Sequence, residues 1–215
     1  MTSPDVRNVR RLSPWQLLIA VGLLAVMVKL RWRAGTDQAY TQWAMSRRTP
    51  GFDVFLRTLT FFGSSPWVFG VMSLMSAWWL RRGDRRTPVI LWGAWGLGAL
   101  VQVLLRLVVA QWRPDAGLLP VPMDLRARFE LAGFPSGHAF RAAFLYGWWA
   151  RTFTQRGTHW LVGWGCLLLA LGVGLTRVCL GRHWMSDVAG SWLLATWALA
   201  LARSWQGPMR EKRLS

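Results

Sequence analysis

Two residues with complementary chemistry, His183 and Asp187, lie four positions apart toward the C-terminus of the chain. In a helix this spacing brings the carboxylate within reach of one ring nitrogen. Such a hydrogen bond fixes the tautomer of the imidazole and raises the nucleophilicity of the other nitrogen, as in the His–Asp pairs of hydrolases. Taken alone, the pair fits an ordinary ion pair at a helix start equally well.

The segment Pro135-Ser136-Gly137-His138 opens an apolar stretch. Free backbone N–H groups at a helix start form an anion site. Histidine is the side chain best suited to proton transfer near neutral pH, and His138 stands one residue inside this predicted helix. By itself the segment also fits a capped helix with a buried histidine.

Arginines form the third cluster. Arg106 and Arg113 are seven residues apart, which places them two turns apart on one face of a helix that Pro114 is expected to end. Arg177 follows a later apolar run, six residues before His183. An arginine inside an apolar helix is costly and indicates a functional site, although snorkelling toward lipid head groups would also accommodate one. Arginine forks match phosphate oxygens in pairs, which predicts a phosphate site.

No acidic cluster that would hold magnesium or zinc accompanies these residues in the sequence. The sequence therefore favours a phosphohistidine mechanism without metal or cofactor. The two cysteines, Cys166 and Cys179, lie in or beside apolar runs and are predicted to be buried hydrophobic residues.

The composition is that of a membrane protein. Of the 215 residues, 53% are hydrophobic, 16% are charged and 17 are tryptophan, whereas a soluble domain is about one quarter charged. These values exclude a disordered chain, a coiled coil and a fibrous repeat. The net charge is +17, but the basic residues lie in short clusters between apolar runs, which is typical of membrane loops and argues against nucleic-acid binding.

Six apolar stretches are long enough, or nearly so, to cross a bilayer as helices. They cover residues 14–30, 66–80, 88 to about 110, about 137–153, 160–176 and 186–202. Three begin with a hydroxyl residue before proline, at Ser13, Ser65 and Thr87, a helix-start signal. The first stretch also fits a cleaved signal peptide, but basic residues follow it directly, so we favour an uncleaved span. We predict one all-α domain over residues 1–215, a bundle of six transmembrane helices.

With six spans, both termini lie on one side of the membrane. Lys and Arg are denser in the loops of that side, which predicts cytoplasmic termini in the plasma membrane. The three clusters described above then meet on the opposite, outer face.

The segment of about 34–64 is not a span, and its apolar residues Phe52, Phe55, Leu56, Leu59 and Phe62 recur at helical spacing. It is predicted to form an amphipathic helix, which either lies in the membrane interface as a platform for lipid or packs against the bundle. The loop from Pro114 to Pro135 either covers the site or only connects two spans.

Arg141 lies three residues after His138, on the same predicted helical face, and a charge there needs a partner. Two hypotheses remain open for it. Arg141 contacts a second phosphate or head group of the substrate and contributes to specificity, or it forms an internal ion pair with Asp124 or Glu130.

The three clusters resemble the signature of the type 2 phosphatidic acid phosphatase superfamily, the lipid phosphate phosphatases. That signature reads Lys-x6-Arg-Pro, then Pro-Ser-Gly-His, then Ser-Arg-x5-His-x3-Asp. The chain has Arg106-x6-Arg113-Pro114, Pro135-Ser136-Gly137-His138 and Thr176-Arg177-x5-His183-x3-Asp187. Order and spacing match, while Arg106 replaces lysine and Thr176 replaces serine. The first change affects phosphate geometry, since arginine binds as a fork and lysine as a point charge.

The resemblance implies a role for each matched residue of the motif core, 106–187. His183 attacks phosphorus, Asp187 orients His183, and His138 donates a proton to the departing oxygen. The phosphate oxygens are held by the remaining motif residues, Arg106, Arg113, Arg177, Ser136 and Gly137. The residues alone do not assign nucleophile and acid between the two histidines, apart from the Asp187 partner of His183.

The resemblance also implies a lipid phosphate substrate in the bilayer. We favour undecaprenyl diphosphate, with phosphatidic acid or phosphatidylglycerol phosphate as alternatives, because the motifs do not choose among lipids. A transporter of anionic lipids or phosphate, with the arginines as its path, is the alternative from another class. The sequence leaves the oligomeric state open.

Overall fold

The computed structural model describes residues 12–32, 34–114, 131–154 and 159–207. Within these ranges the chain forms α-helices and no β-strand, so the all-α prediction is confirmed. The helices, numbered here in chain order, are α1 (Pro14–Lys29), α2 (Ala34–Ser46), α3 (Pro50–Phe61), α4 (Ser65–Arg81), α5 (Arg86–Val109), α6 (Gly137–Thr154), α7 (Trp160–Cys179) and α8 (Met185–Gln206).

Three helices of the described part, α5, α7 and α8, are long and apolar enough to cross a membrane, at 24, 20 and 22 residues. The helices at the other three predicted spans are shorter, with 16 residues in α1, 17 in α4 and 18 in α6. The chain is therefore a helical membrane protein, and length and apolarity identify three of the six predicted spans.

The predicted helix starts are confirmed in one of three cases. Ser13 caps α1, and Gln16 completes a capping box with it. The prediction for α4 was wrong by one residue, because Ser64 accepts the hydrogen bond from the backbone of Trp67 and Ser65 lies in the first turn. The Thr87 cap was also wrong: the backbone and hydroxyl of Thr87 donate to the Asp84 carboxylate at 3.0 and 2.7 Å.

The segment of about 34–64 forms two helices, α2 and α3, where one was predicted. Helix α3 packs against α7, where Leu59 lies close to Gly172, and its Leu56 is buried. The exposed fractions of Phe52 and Phe55 are 38% and 56%, and their rings stack with centroids 6.0 Å apart. The apolar face is thus divided, since one part packs on the bundle and the other presents aromatic rings outward.

Helix α6 is the centre of the bundle and packs most extensively against α7 and α8. Small residues allow the close approach of other helices. A Cβ on Gly98 of α5 would lie 2.6 Å from the ring of Phe140, and one on Gly174 of α7 would lie 2.6 Å from the ring of Trp192. Both contacts are typical of helices that approach closely through small residues.

A hydrogen-bonded tyrosine fixes the turn between α3 and α4 on the central helix. The indole of Trp67 donates to the hydroxyl of Tyr146 at 2.9 Å, and that hydroxyl donates to the carbonyl of Phe62 at 3.0 Å. The next residue, Gly63, is thereby held beside the first turn of α6. This end of the bundle also carries the C-terminal ends of α5 and α7 and the start of α8, so the three motif clusters meet there.

Candidate active site

His183 lies in the turn between α7 and α8 and is 2% exposed. Its Nδ1 is 3.2 Å from Oδ2 of Asp187, and the same oxygen accepts a hydrogen bond from the backbone of Trp184 at 3.0 Å. A carboxylate accepts, so Nδ1 carries the proton and Nε2 keeps its lone pair. The predicted His–Asp pair is therefore formed, with Nε2 as the atom available for attack.

The surroundings of His183 keep its ring neutral. Burial lowers the pKa of His183 well below its usual value, and the charges of Arg113, Arg177 and Arg106 lower it further. A neutral imidazole is the form that a nucleophile requires. The arginines thus have two effects: they attract an anion, and they disfavour protonation of His183.

The Pro135–His138 segment is fastened to α8 beside this pair. The backbone N–H of Ser136 donates to the carbonyl of Asp187 at 3.2 Å. Ser191, one turn further along α8, donates to the carbonyl of Ser136 at 2.8 Å. Sequence reasoning missed Ser191, although its position four residues after Asp187 places both on one face of the helix.

Ser136 itself is fully buried, and its hydroxyl has no hydrogen-bond partner among the described residues. Nε of Arg113 is likewise buried, with no such partner within the described ranges. Buried polar atoms in proteins are nearly always satisfied. Two such atoms beside the His–Asp pair indicate a place for a ligand with several acceptor oxygens.

The first arginine cluster reaches the site by a different path from the one predicted. Helix α5 ends at Val109, where Ala110 adopts a left-handed conformation with φ 51°, so Arg106 and Arg113 do not share one helical face. After Ala110, Trp112 forms an isolated antiparallel bridge with Ala132, and the backbone of Arg113 donates to the carbonyl of Leu131 at 3.2 Å. This pairing with the returning segment carries Arg113 to the site.

Arg106 contacts the second motif directly. Its Nη2 donates to the carbonyl of Pro135 at 3.2 Å, and the amide of Gln102, one turn earlier, donates to the same carbonyl at 3.3 Å. The end of α5 therefore orients the segment that contains Ser136 and His138. Gln102 is a further residue that the motif analysis missed.

Gly133 allows the returning segment to approach the carboxylate. A Cβ at this position would lie 2.6 Å from Oδ2 of Asp187, the oxygen bonded to His183. Its backbone N–H donates to the carbonyl of Gln111 at 2.6 Å. Any larger residue would displace either the carboxylate or this pairing.

Arg141 holds His138 in one tautomer. Its Nε donates to the carbonyl of Gly63 at 3.0 Å, and its Nη2 lies 3.3 Å from Nδ1 of His138. Arginine only donates, so Nδ1 of His138 accepts and the proton is on Nε2. Asp124 and Glu130, proposed above as partners of Arg141, lie outside the described residues. A contact with a second phosphate stays a prediction.

Helices α2 and α3 complete the site, which the motifs did not reveal. Nη1 of Arg177 donates to the hydroxyl of Thr60 at 3.2 Å. The carboxylate of Asp37 accepts from the backbone of Ser186 at 3.0 Å and from its hydroxyl. Thr60 and Arg57 of α3 both line the cavity beside Arg177, so this face of α3 is turned toward the site.

A cavity of about 590 Å³ opens beside Arg113 and Arg177. Its lining comes from α2, α3 and the turn between them, from Arg113 after α5, and from the end of α7 with the following turn. Among the described residues, no group of three or more His, Cys, Asp or Glu side chains is placed to hold a metal ion.

The sequence model of the PAP2 superfamily matches residues 87–211 of this chain, a range that contains all three motif clusters. The fold is similar to the crystal structure of the first transmembrane PAP2 type phosphatidylglycerolphosphate phosphatase from Bacillus subtilis, with a TM-score of 0.78. The two sequences are 22% identical, and the match covers 94% of this chain and 99% of that one. No curated protein matches the sequence.

Proposed function

The chain belongs to the PAP2 superfamily and is a phosphoric ester hydrolase, and we propose that it removes phosphate from a membrane lipid through a phosphohistidine intermediate. The buried His183–Asp187 pair carries this proposal. An imidazole with a proton on Nδ1 and a lone pair on Nε2, surrounded by arginines, suits attack on an anionic phosphate.

In the first step, Nε2 of His183 attacks phosphorus while the bond between phosphorus and the lipid oxygen breaks. Asp187 stabilises the imidazolium that forms, since its carboxylate accepts the Nδ1 proton in a hydrogen bond. His138 acts in its imidazolium form, which the negative charge of the bound phosphate favours and in which Nδ1 no longer accepts from Arg141, and it supplies the Nε2 proton to the departing oxygen. Water then attacks the phosphohistidine, which releases phosphate and restores His183.

The phosphate oxygens are held by groups that the structure brings to this end of the bundle. Arg113 and Arg177 line the cavity, the hydroxyl of Ser136 has no partner among the described residues, and the backbone N–H of Gly137 lies at the start of α6. Arg106 adds charge and orients the Pro135 carbonyl. Charge on the transferred group grows toward the transition state, so donors fixed beforehand stabilise that state most.

Undecaprenyl diphosphate is our proposed substrate, because the site lies on the predicted outer face. Phosphatidylglycerol phosphate fits the site chemistry equally well, and the fold neighbour from Bacillus subtilis is named as a phosphatase of that lipid. Phosphatidic acid is a third candidate. Membership of a hydrolase superfamily supports an enzyme over a transporter of anionic lipids.

Phosphate release from these lipids tests the proposal. Purified full-length protein in detergent, with a chelator present, should release phosphate from at least one of them, since no step above uses a metal. The His183→Ala protein gives the blank. Failure with every lipid phosphate would refute the lipid phosphatase, and release that needs added divalent cation would refute the metal-free mechanism.

We further propose six spans, formed by α1 and α4 to α8, with cytoplasmic termini and the site on the outer face of the plasma membrane. With the three shorter helices α1, α4 and α6 counted beside the three long ones, successive spans cross the membrane in alternating directions. In this arrangement α3 lies on the outer side, and the turn between α4 and α5 lies on the inner side.

Cysteine labelling in intact cells tests this topology. With Cys166 and Cys179 replaced by alanine, a cysteine at the exposed position Thr58 should react with an impermeant maleimide, while one at exposed Arg85 should react only after lysis. The opposite pattern would invert the topology, and labelling of both positions in intact cells would contradict the span count.

A further inference from the structure

The cavity beside the site is larger and more basic than a single phosphate requires. Five arginines line it: Arg48, Arg57, Arg113, Arg177 and Arg182. No acidic side chain is among its described lining residues. Its volume of about 590 Å³ falls within the range of pockets for whole small molecules, about 300–1,000 Å³.

The five arginines divide into two groups. Arg113 and Arg177 belong to the motifs and are assigned above to the reacting phosphate. The remaining three belong to no motif: Arg48 precedes α3, Arg57 lies within it, and Arg182 is in the turn before His183. The cavity therefore extends from the reacting phosphate to a second set of positive charges.

Arg48 forms an ion pair with Asp53. Its Nε and Nη2 donate to both oxygens of Asp53 at 2.7 and 2.5 Å. That hydrogen-bonded guanidinium holds the pKa of Asp53 below its usual value, so the pair stays ionised. Arg57 and Arg182 are both exposed and line the cavity, and the charge of Arg57 also acts on Asp53.

The position of Arg57 relative to the motif residues is set by α3. Thr60 of this helix accepts a hydrogen bond from Arg177 at 3.2 Å. Arg57 is three residues earlier, so it lies on the same helical face, about 4.5 Å further along the helix axis. An anionic group next to the reacting phosphate would therefore meet Arg57.

We infer that Arg57 and Arg182 form a second anion subsite, which binds another phosphoryl group of the same substrate while Arg113 and Arg177 hold the reacting one. The inference rests on the proposed function and narrows its substrate class. Lipids with two phosphoryl groups, whether a diphosphate or a phosphomonoester joined to a phosphodiester, fill both subsites. A lipid with one phosphate leaves the outer subsite unused.

Paired substrates test this subsite. For wild type and Arg57→Gln/Arg182→Gln, kcat/KM is measured with farnesyl diphosphate against farnesyl monophosphate, and with phosphatidylglycerol phosphate against phosphatidic acid. The ratio compares kcat/KM for the substrate with two phosphoryl groups with kcat/KM for its partner with one. In Arg57→Gln/Arg182→Gln this ratio should fall about tenfold or more in at least one pair, since each charge-assisted hydrogen bond lost has about that effect. The pair that responds identifies the second group as diphosphate or phosphodiester.

The matched control is Arg31→Gln/Arg47→Gln, which removes the same charge from two exposed arginines on the same predicted side that do not line the cavity. Its ratios should equal those of wild type. If both double variants change the ratios alike, or if Arg57→Gln/Arg182→Gln leaves both ratios unchanged, the arginines only attract anionic lipid in general and the inference is wrong.

Binding of small anions separates this inference from the proposed function. Methylenediphosphonate, which is not hydrolysed, should bind wild type about tenfold or more tighter than inorganic phosphate, and Arg57→Gln/Arg182→Gln should remove most of that difference. Equal affinity of wild type for the two anions overturns the subsite. A protein that hydrolyses no lipid but shows the difference would refute the proposed function alone.

Discussion

Replacing His183 with alanine should abolish phosphate release while the protein still folds and inserts. The side chain makes one described polar contact, with Asp187, so its loss removes the attacking atom and little of the packing. Removal of a covalent nucleophile lowers kcat by on the order of 10⁶-fold in enzymes where the chemical step was measured separately from substrate binding. We expect a loss of similar size in kcat.

The covalent intermediate gives a second measurement of the same change. Substrate labelled in its terminal phosphate should transfer label to wild type in a form that survives alkali and is lost in acid, as expected for phosphohistidine. His183→Ala should take up no label. His159, an exposed histidine packed edge-on against Phe153, provides the control, and His159→Ala should react as wild type does. A His183→Ala rate within tenfold of wild type would exclude His183 as the nucleophile.

Much of this site could be predicted because the types and the spacing of its residues indicate their chemistry. His183 and Asp187 are four residues apart, and a helix start at that point leaves few other geometries for them. The bundle then forces the ends of α5 and α7 and the starts of α6 and α8 to one end. Periodicity and apolar length were enough to predict these helices.

The remaining parts depend on backbone geometry and on contacts between distant segments. The left-handed residue Ala110 ends α5 four residues before the proline that was expected to end it. A short polar segment such as Ala34–Ser46 has neither strong apolar periodicity nor a motif, so α2 was missed. Asp37 and Thr60 act through partners 149 and 117 residues away, which local spacing does not indicate.

The role of Arg141 shows the same limit. The sequence indicated that a charge at this depth needs a partner, and it left a substrate phosphate and an acidic side chain as the two candidates. In the structure it donates to a backbone carbonyl in the turn between α3 and α4 and to the ring of His138. Backbone acceptors carry no sequence signal, so such a partner is found only once the turn has been placed.

Replacing His138 with glutamine should slow hydrolysis of a lipid monophosphate by about 10²–10⁴-fold, the usual contribution of a general acid. The departing group there is a lipid alkoxide, which is a poor leaving group without a proton. Arg141 lies against Nδ1, so the proton on Nε2 is the one that the protonated His138 supplies. Glutamine keeps a polar amide of similar reach but has no comparable proton to give.

The leaving group distinguishes this role from that of His183. With p-nitrophenyl phosphate the departing phenolate needs no proton, so His138→Gln should lose much less of its hydrolysis rate with this substrate than with a lipid monophosphate. His183→Ala should stay inactive with both substrates. Labelled p-nitrophenyl phosphate should still phosphorylate His138→Gln. An equal loss with the two leaving groups, with labelling retained, would mean that His138 only orients the phosphate. Loss of both activity and labelling with the two substrates would reverse the assignment of acid and nucleophile, because nucleophilic attack is the step that both substrates share.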